Sequence, residues 1–269
     1  MQTTTNTAVL NAGITVQILL DVFDIRGIVH YGIAGSANNS LSFGDVSVPK
    51  YLAFTGSWTW MNFESEEKGE FTEMKFGDYN LPKEGENLLA KVEFKTEELY
   101  SVGQPMKEVF WLEVDQTWFN LAAQLQDLEL QQCVNETYCL PKIPRVEYGL
   151  RGSTADIFVD NAAYRKFLFE KFQVSTIDEE SAAVVMTAMS SGVPCIVFRG
   201  VSDLAGGGGE NDKLKLSSSS MFLGSLASIN DIFSNGVGDG GEWGGGDGDG
   251  GGGFSFWVRD DGGGRDWSW

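Results

Sequence analysis

The sequence predicts an α/β fold with a mixed, mostly parallel twisted sheet flanked by helices. Short apolar runs closed by Gly or Pro alternate along the chain with segments of helical period. Alternating strands and helices are typical of parallel strands covered by helices on both faces. The 269 residues, 42% of them hydrophobic, suffice for one such domain.

The N-terminal half opens with an amphipathic helix at residues 7–23, followed by two strands. The helix should turn one apolar face to the core, formed by Val9, Leu10, Ile14, Ile18, Leu19 and Val22. The run 27–33 is closed by glycines and predicts a buried strand. Residues 45–54 predict a second strand, which Pro49 interrupts.

A polar, turn-rich insertion follows at residues 64–110, with a strand-like segment at 90–94 inside it. Beyond it, helices are predicted at 118–130, 161–172 and 180–191, and strands at 145–152 and 194–202.

The composition changes at about Gly206, after which glycine dominates. Residues 220–233 keep apolar spacing of helical period and predict a final helix that ends a single domain at residues 1–234. The acidic glycine-rich tail, 235–269, cannot bury enough apolar surface to offset the entropy of ordering it, so we expect it to be disordered.

The charge and composition exclude several classes of function. With 38 acidic and 19 basic side chains the net charge is −19, which disfavours binding to nucleic acid or to anionic membranes. One histidine and three cysteines exclude two-histidine and four-cysteine metal sites, so we expect no metal. No apolar run is long enough to span a bilayer, and the first residues lack the pattern of a secretory signal.

Two strand ends have residues suited to chemistry. Ile33, Ala34 and Gly35 follow the first strand, and small residues there let backbone N–H groups approach an anion or a sugar. Asp203, preceded by Ser202, follows the strand at 194–202 and, being partly shielded from water, is a plausible proton donor. The alternatives are a tight strand exit for the first group and a helix cap for Asp203.

A third group, Glu179 and Glu180, opens the helix at 180–191. The helix dipole favours acids in a first turn, which is the structural alternative. The small residues that follow predict close packing, which would place one carboxylate in a cleft where it accepts hydrogen bonds from a vicinal diol.

Four motifs together resemble the nucleoside phosphorylase superfamily, which includes nucleoside phosphorylases and methylthioadenosine/adenosylhomocysteine nucleosidases. The motifs, in the order and approximate spacing of that superfamily, are Gly32-Ile-Ala-Gly35, Phe158-Val159, Asp178-Glu-Glu-Ser-Ala-Ala183 and Arg199-Gly-Val-Ser-Asp203. The insertion and the segment from Cys133 to Cys139 resemble its plant branch, the bark and vegetative storage proteins.

The resemblance implies cleavage of the N-glycosidic bond of a purine (thio)nucleoside, with an adenine-like compound as ligand; it is compatible with a homo-oligomer. Asp203 would be the general acid that protonates the purine at N7, and Ser202 would orient it. Glu180 would bind the ribose hydroxyls and stabilise the cationic sugar. Phe158 would stack on the base, whose edge the Val159 backbone would contact.

Three departures from the family pattern modify this expectation. Phosphorolytic members hold phosphate with an Arg and a Ser or Thr near the positions of His30 and Ile33, so phosphate as co-substrate is doubtful and hydrolysis is expected. Glu179 replaces the usual Met beside the sugar. We also expect the N-terminal βα units of the fold to be absent, and both chain ends to be artefacts of the gene model.

The cysteines and two glycosylation sequons suggest a compartment. Cys133 and Cys139 bracket the sequon at Asn135, and a second sequon lies at Asn38. Cysteines so placed suggest a small disulfide loop, as in a protein of a secreted or vacuolar family. Cys195 is expected to be inert core.

Two functions therefore remain open. The first is a nucleoside phosphorylase-type enzyme that uses Asp203 and Glu180, with activity impaired by the departures. The second is a bark-type storage protein that keeps the fold without useful catalysis. Asp203, Glu180 and Phe158 favour the first, while Ile33, Glu179 and the cysteine loop favour the second.

Overall fold

The computed structural model describes residues 8–60, 73–74, 92–133, 136, 139–207, 241–247 and 252–259. In chain order its elements are α1 (Ala8–Val22), β1 (Ile25–Ser36), β2 (Val46–Phe54), β3 (Trp58–Trp60), β4 (Glu73–Met74), β5 (Val92–Phe94), β6 (Glu97–Leu99), β7 (Lys107–Val109), β8 (Leu112–Glu113), α2 (Gln116–Ala122), β9 (Val146–Thr154), α3 (Ala162–Phe172), β10 (Thr176–Asp178), α4 (Ser181–Ser191), β11 (Cys195–Leu204), β12 (Gly241–Asp247) and β13 (Gly252–Arg259).

The main sheet is mixed, which confirms the predicted α/β class, but antiparallel pairs outnumber parallel ones, so the expectation of a mostly parallel sheet is wrong. Its strand order is β10-β9-β2-β11-β1-β13-β12, and β8 pairs with β2. Three pairs are parallel, β1 with β11, β2 with β9 and β9 with β10, and the remaining pairs are antiparallel. Two small sheets, β3-β5-β4 and β6-β7, are separate from it.

The predicted elements agree with the structure except in their bounds. The helix predicted at 118–130 ends as α2 at Ala122 and continues as a 3₁₀ segment, Ala123–Asp127. Pro49 interrupts the register between β2 and β9, as its missing N–H requires. The sequence did not predict β10, which has only three residues. The helix predicted at 220–233 lies outside the described residues.

Strand β1 has neighbours on both sides, and this arrangement positions the site. On one side β11 runs parallel to it from Ile28 to Ser36. On the other side β13 pairs with it from Ile25 to Gly32, and β10 pairs with Gly35 and Ser36. The C-terminal half of β1 is therefore bordered by the ends of β10 and β11.

The core consists of two clusters. One joins α1, α2 and α4 to β1, β2 and β11. The other surrounds Phe94, whose ring centroid lies 5.9 Å from that of Phe167 and 5.1 Å from that of Phe172. Because Phe167 and Phe172 belong to α3, this second cluster fixes the helix that follows the 155–160 loop.

The predicted core face of α1 is wrong for four of its six residues, although Leu19 packs against the core as predicted. Leu10, Ile14, Ile18 and Val22 are 47–59% exposed, whereas Val16 is 1% exposed. The helix is apolar on nearly all sides, so its periodicity does not select a face. The buried face of α1 is instead the one that packs against α4. The two helices are close, because a Cβ at Gly13 would lie 3.5 Å from Thr187 Oγ1.

Two parts of the C-terminal segment, which was predicted to be disordered, form the strands β12 and β13. The strands β12 and β13 pair with each other, and β13 also pairs with β1. Aromatic and β-branched residue types, which favour strands, are frequent in residues 254–258. Pairing also satisfies the backbone groups that the free edge of β1 would otherwise expose. The rest of 235–269 lies outside the described residues.

Candidate active site

The site residues meet around the C-terminal half of β1. Asp178 ends β10, Glu180 is the N-cap of α4, and Asp203 lies one residue before the end of β11. Asp203 pairs with Gly35 of β1, and Ile177 of β10 pairs with the same residue. The two carboxylates named by the sequence motifs thus lie near the ends of strands that border the same segment of β1.

Arg199 of β11 is fully buried at the centre of this region. Its Nε lies 3.0 Å from Asp178 Oδ2 and donates to Ser181 Oγ at 2.9 Å. Its Nη2 donates to Glu180 Oε2 at 3.1 Å. The Nε–H points to Ser181, so the contact with Asp178 is a close ion pair rather than a hydrogen bond. A buried guanidinium requires such partners because desolvation of a charge is costly.

Two further contacts complete the surroundings of Arg199. Nη2 also lies 2.6 Å from His30 Nε2, and Nη1 donates to the Ile33 carbonyl oxygen at 3.4 Å. Both residues belong to β1, whose Gly32 pairs with Arg199. The guanidinium therefore links β1 to the turn between β10 and α4.

Asp178 anchors that turn. Its Oδ1 accepts from the Thr154 hydroxyl at 2.7 Å and from the backbone N–H groups of Glu180 and Ser181 at 3.1 and 2.9 Å. Burial raises the pKa of Asp178, but Arg199 and the hydrogen bonds from Ser181 and Thr154 outweigh it, so the pKa lies below its ordinary value. Asp178 is therefore a fixed negative charge under α4.

Glu180 differs from Asp178 because it remains partly open to solvent, with 32% of its side chain exposed. Burial raises its pKa, and so does Asp178, while Arg199 acts in the opposite direction without cancelling them. A carboxylate held by Arg199 and accessible from outside can accept hydrogen bonds from the hydroxyls of a ligand.

Glu179 is half-buried beside these acids. Its pKa is raised by burial and then by the charges of Glu180, Asp156 and Asp178. Because its pKa is higher in the folded than in the unfolded chain, its ionisation opposes folding at neutral pH, and the opposition vanishes below the ordinary pKa of glutamate.

We therefore expect Glu179→Gln to increase the free energy of unfolding at neutral pH by about 0.5 kcal/mol, a small value because solvent screens the charge of this half-buried group. Urea unfolding at neutral and acidic pH would measure the gain, which should disappear at acidic pH. The matched control is Glu129→Gln at an exposed position. A destabilised Glu179→Gln variant at neutral pH would contradict the expectation.

Asp203 lies next to a bulge in β11. Ala34 pairs with Val201 and Gly35 with Asp203, so Ser202 is an extra residue in the ladder. Such bulges redirect side chains near active sites. The Ser202 hydroxyl lies 2.7 Å from Asp203 Oδ1 and 3.3 Å from the Ala34 carbonyl oxygen, and it can donate to either.

The small residues of β1 have structural partners. The carbonyls of Ile33 and Ala34 accept from Arg199 and Ser202. A Cβ at Gly35 would lie 3.2 Å from the Ala205 Cβ, so the strand exit needs a small residue there. Contact of residues 33–35 with a ligand stays a prediction.

The 155–160 loop brings Phe158 and Val159 to the same end of the sheet. The Ala155 N–H donates to the Asp178 carbonyl at 3.2 Å, which fixes the start of the loop beside the turn into α4. The Phe158 side chain is 69% exposed, whereas Val159 is buried at 8%. Phe158 therefore has an accessible ring, and Val159 anchors the loop in the core.

Sequence reasoning did not select Asp178, Ser181, His30 or Arg199 as site residues. A signal was present, because Arg199 follows the apolar run Ile196-Val-Phe198 in a strand predicted to be buried. An arginine in such a strand needs buried acidic partners, and the nearest predicted candidates were the acids before α4.

A separate cavity of about 290 Å³ lies at the opposite end of β11, where Glu113, Asp115, Met189 and Cys195 are among its lining residues. None of the predicted ligand-binding residues lines it. Burial raises the pKa of the Cys195 thiol, as expected for a core cysteine.

In the structure Cys133 and Cys139 form a disulfide. Asn135, inside this loop, lies outside the described residues. At the other sequon, the Asn38 amide nitrogen donates to Ser175 Oγ at 3.4 Å, and its oxygen accepts from the Ser40 hydroxyl at 2.7 Å. Glycosylation of Asn38 would need this amide to turn outward.

Within the described ranges, no group of three or more His, Cys, Asp or Glu side chains is arranged to hold a metal ion. No helix in the part of the chain that the structure describes is long and apolar enough to cross a membrane.

Comparison with known proteins agrees with this architecture. Two solved structures similar to the chain are S-adenosylhomocysteine nucleosidase from Streptococcus pyogenes in complex with 5-methylthiotubericidin and the methylthioadenosine/adenosylhomocysteine nucleosidase of Campylobacter jejuni. The first has a TM-score of 0.53 at 19% identity, covering 87% of this chain and 77% of that chain. The second has a TM-score of 0.53 at 18% identity, covering 85% and 78%. At these identities the likeness shows the fold.

Closer sequence relatives are bark storage proteins A and B of Populus deltoides, 42% and 41% identical over 226 residues, which is 83% of this chain and 71% of each relative. Residues 8–225 match the model of the family described as Phosphorylase superfamily. The chain therefore belongs to the phosphorylase superfamily.

Proposed function

We propose that the chain binds a purine (thio)nucleoside at the C-terminal half of β1 and hydrolyses its N-glycosidic bond. The observation that supports this most directly is the placement of Glu180. It is held by Arg199 yet partly exposed, at the same end of β1 where Asp203 is held by Ser202. The proposal assigns Glu180 the role of the sugar-binding carboxylate and Asp203 that of the proton donor.

In the proposed step, protonated Asp203 transfers its proton to N7 of the purine as the C1′–N9 bond breaks. The electron pair of that bond leaves with the base, which departs neutral, and C1′ becomes cationic. Water then adds to C1′ and releases a proton to solvent, and Asp203 regains a proton from solvent before the next turnover. The Ser202 hydroxyl can follow the protonation state of Asp203, because it can donate either to the carboxylate or to the Ala34 carbonyl.

The charges around the site favour the cationic sugar. The carboxylates of Asp178, Glu179 and Glu180 outnumber the guanidinium of Arg199 that lies among them. A net negative, partly desolvated environment lowers the free energy of a developing positive charge more than that of the neutral substrate.

The same charges oppose a phosphate dianion. Ile33 has no hydroxyl to donate, and His30 already contacts Arg199. Water is therefore the proposed nucleophile, and no co-substrate is needed.

The experiment measures adenine release from methylthioadenosine with and without saturating phosphate. We expect equal rates in both conditions and a free thiopentose as the second product. A requirement for phosphate, with sugar 1-phosphate formed, would contradict hydrolysis while keeping the site.

The second candidate function is storage, favoured by the 42% identity to bark storage protein A. A storage protein would need the fold and its nitrogen content, not the Asp203 and Glu180 geometry. Absence of adenine release in either condition, together with accumulation in nitrogen-rich tissue, would favour storage over the enzyme.

A further inference from the structure

We propose that His30 is a positioning residue, which accepts a hydrogen bond from Arg199 as a neutral imidazole and so aims that guanidinium at Glu180. The expected effect on nucleoside cleavage rests on the proposed function, whereas the hydrogen bond from Arg199 to His30 does not.

The chemistry of arginine decides which atom has the proton. A guanidinium has only N–H donors and stays charged in proteins, so a nitrogen 2.6 Å from Nη2 must be the acceptor. His30 Nε2 therefore has a lone pair, and the imidazole proton lies on Nδ1. Since Arg199 and His30 are 0% and 3% exposed, a second positive charge at this distance would be unscreened.

The positioning effect follows from the shape of the guanidinium. Nη2 has two N–H bonds in one plane, and the structure directs one to His30 and the other to Glu180 Oε2. Because the group is rigid and planar, fixing the first bond fixes the direction of the second. Ser181 and the Ile33 carbonyl fix the other side of the same plane.

The charged groups that face His30 through Arg199 are Asp178 and Glu180, both at the turn into α4. Asp178 attracts the guanidinium by charge at Nε, and the orientation of the group is set by its hydrogen bonds from Nε to Ser181, from Nη1 to Ile33 and from Nη2 to His30. His30 is the partner that makes Nη2 point towards the accessible carboxylate.

The first test uses the fact that the chain has one histidine. A ¹⁵N-histidine-labelled protein gives a single imidazole, whose long-range ¹H–¹⁵N spectrum at neutral pH should show protonated Nδ1 and unprotonated Nε2. An Nε2-protonated ring or an imidazolium would overturn the proposal.

The second test compares His30→Leu with His30→Gln, whose amide oxygen can replace Nε2 as acceptor. We expect His30→Leu to lower kcat/KM for a ribonucleoside about tenfold. The loss should be much smaller for the 2′-deoxyribonucleoside, because Glu180 binds the hydroxyl that this substrate lacks. His30→Gln should keep the preference for ribose.

Equal losses on both substrates would show a merely structural role and overturn the positioning claim. Should His30→Leu fail to fold, His30→Met, whose thioether sulfur is only a weak acceptor, replaces it. If the wild-type chain cleaves no nucleoside, the proposed function fails, and the imidazole spectrum alone decides whether His30 orients Arg199.

Discussion

Asp203→Asn should reduce the rate of adenine release from methylthioadenosine by about 10²- to 10⁴-fold, the usual contribution of a positioned general acid. The amide oxygen of asparagine can still accept the hydrogen bond that Ser202 donates to Asp203 Oδ1 at 2.7 Å. The variant therefore keeps the local geometry and loses the proton that N7 requires. Single-turnover measurement of the chemical step would isolate this effect from product release.

The control is Ser202→Ala, which removes the hydroxyl and keeps the acid. Its loss should be clearly smaller than that of Asp203→Asn, since Ser202 orients the carboxyl group without donating the proton to the base. Adenine binding should be retained in both variants. A loss below tenfold for Asp203→Asn would mean that another group protonates the base or that leaving-group protonation does not limit the rate.

Apart from the three-residue β10, the strands and helices around the site could be predicted because their patterns are local. The apolar run after Gly27 and the run before Arg199 are each recognisable without knowledge of their neighbours. Their pairing in β1 and β11 then brings Gly35 beside Asp203, a contact between residues far apart in sequence. The motifs supplied the two carboxylates and Ser202 beside Asp203, but not the contact with Arg199 that holds Glu180.

The network around Arg199 could not be predicted in the same way, because its geometry depends on three-dimensional pairing. His30 and Arg199 lie 169 positions apart, and their contact depends on the parallel register of β1 and β11. The buried face of α1 could not be predicted for a similar reason, since packing against α4 determines which apolar residues of α1 are covered. Local patterns predict elements, whereas the partners of a buried charge depend on which elements pack together.

Among the stability effects, the largest is expected for Asp178→Asn. Removal of one partner from a buried ion pair costs about 3–5 kcal/mol, because the remaining charge is left uncompensated. Asparagine can keep the acceptor for Thr154 and for the N–H groups of Glu180 and Ser181, so the change isolates the charge that faces Arg199. Since Glu180 remains beside Arg199, we expect Asp178→Asn to lower the free energy of unfolding by about 3 kcal/mol at neutral pH.

The pH dependence of the stability lost in Asp178→Asn shows whether that loss comes from the missing charge or from altered packing. The pKa of Asp178 is lower in the folded than in the unfolded chain, so its contribution is complete above the unfolded value and is lost as the pH falls through the folded value. Urea unfolding of both proteins at several pH values should therefore show a difference that narrows in acid. The exposed variant Asp160→Asn is the control and should change stability by less than about 0.5 kcal/mol. A loss of equal size at every pH would assign the effect of Asp178 to packing, and the guanidinium of Arg199 would then depend on Glu180 for its charge compensation.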